Sequence, residues 1–165
     1  MLEGYQGHAL VFPDVRGRAE GVDVSGQNAT GNLSQTLATF LSSSLKQEGY
    51  IAIMAYLDRK EKSMEALASL RDKLSLIYHV PVTVGFGPRF LHSTGQLHKG
   101  GPPTGAFIQF TDTPKEDIEI PGKPYSFGTL VRGQAIGDFE TLRKHDRPVV
   151  SFALGSDPIA TLALF

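Results

Sequence analysis

Short apolar runs separated by segments of helical periodicity constrain this chain more than any other feature. Five runs read as strands: HALVF (8–12), YIAIMAY (50–56), PVTVGF (81–86), AFIQF (106–110) and PVVSFAL (148–154). Several lack strict apolar–polar alternation, as expected of strands covered on both faces. Leu33, Leu37, Phe40, Leu41 and Leu45 follow a helical spacing, with Asn32 and Gln35 placed for a capping box. Met64, Leu67, Leu70, Leu74 and Ile77 predict one face of a second helix, with Ser63 as its N-cap. Phe127, Leu130, Val131, Ala135, Phe139 and Leu142 predict a third, capped by Ser126, and DPIATLALF a short last one with Pro158 in its first turn. Strands alternating with helices predict an α/β fold: a three-layer αβα sandwich around a five-stranded, mostly parallel sheet.

The length of 165 residues suits a single domain spanning 1–165. Two stretches read as irregular, 13–31 and the proline-containing acidic 111–124. The first is long for a loop in a compact domain. A net charge of −1 carries no basic excess for nucleic acid or an anionic membrane surface. No apolar run has the length of a membrane span, and no signal peptide opens the chain, so the expected location is the cytoplasm. With no cysteine there is neither a disulfide framework nor thiolate chemistry. His8, His79 and His145 are scattered without metal-ligand spacing, so no metal site is expected, and no two carboxylates stand out as an acid/base pair.

The densest polar stretch is GPRFLHSTGQLHKGGPPTG (87–105). It follows the strand 81–86 at once, and ligands of open α/β sheets gather beyond the carboxyl ends of the strands. Arg89 and His92 are therefore expected on the ligand-binding edge. A short helix over about 90–98 would return the chain to the next strand, with Gly100 and Gly101 forming a left-handed cap. On it His92 and Gln96 share a face, and Ser93 and Thr94 lie at its start. Each residue also has a structural reading. Arg89 either binds a phosphate or pairs with a carboxylate of 111–124. His98 fits the C-terminal turn, where a cation favours the helix dipole. Lys99 is equally explained as a solvated side chain, and Gln96 and Gln134 as partners of buried backbone groups. The loop VSGQNATGN (24–32) precedes a helix N-terminus, where capping alone explains it as well as anion binding.

GPRFLHSTGQLHKGG resembles the phosphoglucose isomerase family, in the form fused behind transaldolase in some bacteria. YIAIMAYL, GAFIQF, IPGKPYSFGTL and GQAIGDFETL resemble it too. The family is built from two sugar-isomerase (SIS) domains, each with a five-stranded parallel sheet. This chain resembles the second, the C-terminal part of a larger isomerase. The resemblance implies interconversion of glucose 6-phosphate and fructose 6-phosphate without metal or organic cofactor. It implies an N-terminal SIS domain and a homodimeric second subunit as partners, and a sugar phosphate as ligand. His92 takes the position of the ring-opening histidine, and Gln96 that of the glutamine after it. An imidazole suits the transfer of a proton between the anomeric hydroxyl and the ring oxygen near neutral pH. Arg89, Ser93, Thr94, Lys99 and Gln134 complete the candidate sugar-phosphate contacts. The chain departs from the family at Gln134, where many members carry a lysine; glutamine can hydrogen-bond a hydroxyl but does not transfer a proton as lysine does. His98 or Lys99 stands as a substitute for that lysine. No counterpart is found for the phosphate-binding Ser/Thr loop or the carboxylate that moves the proton between C1 and C2. The alternative is a SIS module that binds a sugar phosphate and regulates without catalysis.

Overall fold

The computed structural model describes residues 33–89, 94–113 and 115–165. In chain order the elements are α1 (Leu33–Ser44), β1 (Tyr50–Tyr56), α2 (Glu61–Tyr78), β2 (Val82–Phe86), α3 (Thr94–Gly100), β3 (Gly105–Thr111), α4 (Phe127–Lys144), β4 (Val149–Ala153) and α5 (Pro158–Leu162). The strands form one sheet in the order β2-β1-β3-β4, and every pairing is parallel. In the middle of the sheet Ile53 lies between Val84 and Ile108. The expectation of an αβα sandwich with a parallel sheet holds. The expectation of five strands becomes four among the described residues, because the candidate strand 8–12 lies outside them, as do the loop 13–31 and Asn32.

Strand periodicity assigns the two faces. Ile51, Ile53 and Ala55 of β1 and Ala106, Ile108 and Phe110 of β3 pack with α1, α2 and α5. Ala52, Met54 and Tyr56 of β1 and Phe107 of β3 point the other way, toward α4. Both central strands are thus buried on both sides, which is why their sequences do not alternate. Burying each large apolar side chain stabilises by about 1.5–3 kcal/mol, offset in large part by ordering the chain.

The helices follow their sequences with local corrections. The inward stripe of α2 is Ser63, Leu67, Leu70 and Leu74, while Met64 and Ile77 are exposed. Ser63 is therefore a buried residue inside the helix; the N-cap is Lys60, with no side-chain cap. On α4 the buried residues are Ala135, Asp138, Phe139 and Leu142, and Phe127 at its start is exposed. Ser126 caps α4 as expected, its Oγ accepting from the Thr129 N–H at 3.1 Å. At α5 the Asp157 carboxylate accepts from the Ala160 N–H at 3.1 Å and proline opens the helix. Among the described residues the crossover helix covers Thr94–Gly100, so it continues past the expected end at 98, while 90–93 lie outside them. Gly100 and Gly101 do not take a left-handed conformation; among the described residues the glycines that do are Gly122 and Gly155. Gly101 instead presses on the preceding turn, its N–H donating to the Leu97 carbonyl at 2.8 Å. A Cβ there would come within 2.5 Å of that oxygen.

Candidate functional site

The strand order makes β1 the point at which the chain reverses its direction of travel across the sheet. From β1 it moves outward to β2, then crosses back over β1 to β3 on the other side. In such sheets a crevice opens beyond the carboxyl ends of the two strands at the reversal, here β1 and β3. The crossover that bounds it is the polar stretch beginning at Gly87. The Gly87 N–H donates to the Ala55 carbonyl at 2.8 Å, and its backbone lies close against the Tyr56 ring. A Cβ on Gly87 would fall 2.4 Å from Tyr56 Cε1, so this approach requires glycine.

Beneath this edge, between the sheet and α4, three polar side chains converge. Asp138 of α4 is 2% exposed. Its Oδ2 accepts a hydrogen bond from the Tyr56 hydroxyl, and its Oδ1 lies 2.5 Å from Lys99 Nζ. Burial pushes the Tyr56 phenol well above its ordinary range, and the bond to Asp138 adds to the effect; the hydroxyl stays a donor. Gln134 sits one turn earlier on the same face of α4. Its Oε1 is buried and has no hydrogen-bond partner among the described residues. Two of the sequence-derived candidates, Lys99 and Gln134, are thus brought to neighbouring turns around Asp138. Tyr56 and Asp138 escaped the sequence reading. One signal was available: position 138 is three after Ala135 and four before Leu142, a carboxylate inside an apolar stripe.

His98 belongs to the opposite edge. It is 6% exposed, with Nδ1 3.0 Å from the Tyr50 hydroxyl at the start of β1 and its ring edge-on to Phe107. Burial pushes its pKa below the ordinary 6.5, opposed by Asp138 and reinforced by Lys99. It is therefore a neutral, packed side chain rather than a cation at the helix end or a substitute for a catalytic lysine. The last carbonyls of α3 are taken instead by Arg147, whose guanidinium donates to Gly101 O at 2.6 Å and to Lys99 O at 3.3 Å. Gln109, buried in β3, is likewise structural: it donates to the Ala135 carbonyl at 2.9 Å and accepts from Ser151 at 3.0 Å.

The other candidates are dispersed. Arg89, Thr94 and Gln96 are exposed, and Arg89 pairs with no carboxylate among the described residues. His92 and Ser93 lie outside the described residues. The acidic loop before α4 is folded onto that helix: Asp117 accepts from the Gly128 and Ile118 N–H groups, each at 2.8 Å, and from the Ser126 hydroxyl. The Ser126 bond above all holds its carboxyl below the usual range, so the N-terminus of α4 already carries its own anion. Asp112, just past β3, has its carboxyl raised by burial. Asp58, just past β1, pairs with Lys60 at 2.5 Å. No cluster of metal-ligating side chains occurs among the described residues, and no helix there is long and apolar enough to cross a membrane.

No protein-family model matches the chain, and no curated relative matches it. Its fold is similar to the crystal structure of a hypothetical protein from Thermus thermophilus, with a TM-score of 0.64 and 18% sequence identity. The likeness covers 80% of this chain and 36% of that protein, so this chain spans about a third of its length. At that identity the similarity speaks to the fold alone.

Proposed function

We propose that this chain is a SIS-type domain that binds a sugar phosphate, and that it is the C-terminal domain of a glucose-6-phosphate isomerase. The reading rests first on the family resemblance of 87–101. The structural observation in its favour is Gln134. A buried carbonyl without a donor costs about 1–3 kcal/mol unless something supplies one, and a sugar hydroxyl has that chemistry. Gln134 lies on α4, which covers the same face of the sheet as Tyr56, the ring against which Gly87 rests. In this reading His92 accepts the anomeric hydroxyl proton and returns a proton to the ring oxygen, opening the ring with no net change in protonation. The transfer between C1 and C2 then falls to a carboxylate from an N-terminal SIS domain, with a homodimer in the cytoplasm as the working form.

The test is glucose 6-phosphate isomerisation by the protein carrying both domains. His92→Ala is expected to lower kcat by about 100-fold or more, the usual scale for a lost acid/base group. His98→Ala is expected to lower the melting temperature and leave kcat of the folded protein close to wild type. Equal, mild effects of both on kcat would overturn the reading.

One observation favours the second reading, a binding module without catalysis. Lys99 and Asp138 are committed to each other, and Gln134 cannot shuttle a proton. Fructose 6-phosphate binding without turnover, in the two-domain protein, would support it.

A further inference from the structure

Asp138 has both carboxylate oxygens engaged, one by a phenol from the end of β1 and one by an ammonium from the last turn of α3. Asp138 is fully withdrawn from water and Lys99 partly so; burying an ion costs several kcal/mol, and apolar residues of the same volume often serve stability as well or better. Such a cluster is better suited to fixing geometry. Its attachments show which geometry is fixed. The Tyr56 ring is the surface on which the Gly87 backbone rests, at the start of the crossover. Lys99 stands at the crossover's far end, where its helix is also held by Arg147. Asp138 is four residues beyond Gln134 on α4, about 6 Å along the axis at 1.5 Å per residue. One carboxylate therefore joins the first turn past β2, the end of α3 and the turn of α4 that carries the unpartnered carbonyl.

We infer that Tyr56, Asp138 and Lys99 are positioning residues for sugar-phosphate binding at the carboxyl edge, setting the Gln134 amide and the Gly87–Arg89 turn relative to one another. The inference rests on the reading proposed above. None of the three is a catalytic residue: the network lies beneath the edge, and it acts through Gln134 and Gly87.

The experiment has a ligand-free arm and a ligand arm, both on the whole chain by NMR. Without ligand, Tyr56→Phe removes one oxygen and is expected to shift the Gln134 side-chain amide and the Gly87 N–H while leaving the amides of α1, α2 and α5 in place. Lys99→Met is expected to do the same to Gln134, and Lys99→Arg to restore the wild-type position. Unmoved Gln134 and Gly87 signals in folded Tyr56→Phe would overturn the inference whatever the protein binds; should that variant not fold, the Lys99 pair decides in the same way. In the second arm fructose 6-phosphate is titrated into the chain together with an N-terminal SIS domain. The wild type is expected to show a saturable shift at Gln134, and Tyr56→Phe a Kd about tenfold weaker, the scale of one misplaced hydrogen bond. Equal affinities would overturn the inference and leave the reading standing. A Gln134 that responds to Tyr56→Phe in the first arm but in the wild type ignores the sugar would overturn the reading, and the ligand role inferred here with it.

Discussion

The two faces of the sheet are built on different principles. The face covered by α1, α2 and α5 is almost wholly apolar among the described residues: Leu41, Ile51, Ile53, Leu67, Ile108 and Phe152 are fully enclosed, and Ser63 is the buried polar exception there. The face covered by α3 and α4 interleaves Met54, Phe107 and Phe139 with buried Asp138, His98 and Gln109, each hydrogen-bonded across elements. Apolar contacts are non-directional and tolerate small shifts. Hydrogen bonds between β1, β3, α3 and α4 do not, so the second face has one arrangement rather than several near-equivalent ones. The candidate ligand edge belongs to that second face.

Mutations can break this contrast. The largest expected losses are Phe152→Ala on the apolar face and Asp138→Ala on the polar one, about 3–5 kcal/mol each, one by opening a cavity and the other by leaving the partly buried Lys99 ammonium and the Tyr56 hydroxyl without their acceptor. Urea denaturation should show similar losses for the two. The sharper comparison is the double change Asp138→Leu with Lys99→Met. It removes the charge pair together and is expected to recover part of the loss, because apolar replacement of such a pair is commonly neutral or stabilising while the Tyr56 hydroxyl is still left without its acceptor. No such rescue exists for Phe152→Ala. If the double variant stays as unstable as Asp138→Ala, the polar face is stabilised by its ion pair after all.

A smaller effect concerns pH. The folded-state pKa of His98 lies below its unfolded value, because burial disfavours the charged ring. The folded state therefore resists protonation, and its advantage is full above about pH 6.5 and declines as pH falls toward the depressed folded value. His98→Gln should flatten that decline in melts taken across the interval, whereas changes on the apolar face should leave its slope unaltered. The smallest effect, about 1 kcal/mol, is expected from Ser126→Ala, which removes the cap of α4 and the hydroxyl that binds Asp117. A thermal melt resolves it.

Residue by residue, legibility follows the range of the interaction. Ser126 was readable as a cap, and Pro158 as a helix start, because both act within three residues. Gly100 and Gly101 misled because tandem glycines suit either a left-handed turn or a close approach; the Leu97 carbonyl selects the second at Gly101, while a Cβ on Gly100 would meet nothing. Met64 and Ile77 fit a helical stripe as well as Ser63 does; where the sheet lies decides between them. His98 and Lys99 are adjacent in sequence, and nothing local sends one to Tyr50 and the other to Asp138.

The sequence by itself determined the α/β alternation, the parallel character of the sheet, the positions of most elements and the choice of 87–105 as the stretch least suited to a core. These follow from periodicity, turn chemistry and side-chain polarity, which act over a few residues. Only the tertiary structure decided the strand order, the burial of His98, the seating of Gly87 on Tyr56, and the meeting of Tyr56, Lys99 and Asp138 across 82 and 39 positions of chain. Those contacts depend on how far apart in the chain two groups can be and still share one buried volume, and that is set by the crossover of β2 to β3 over β1.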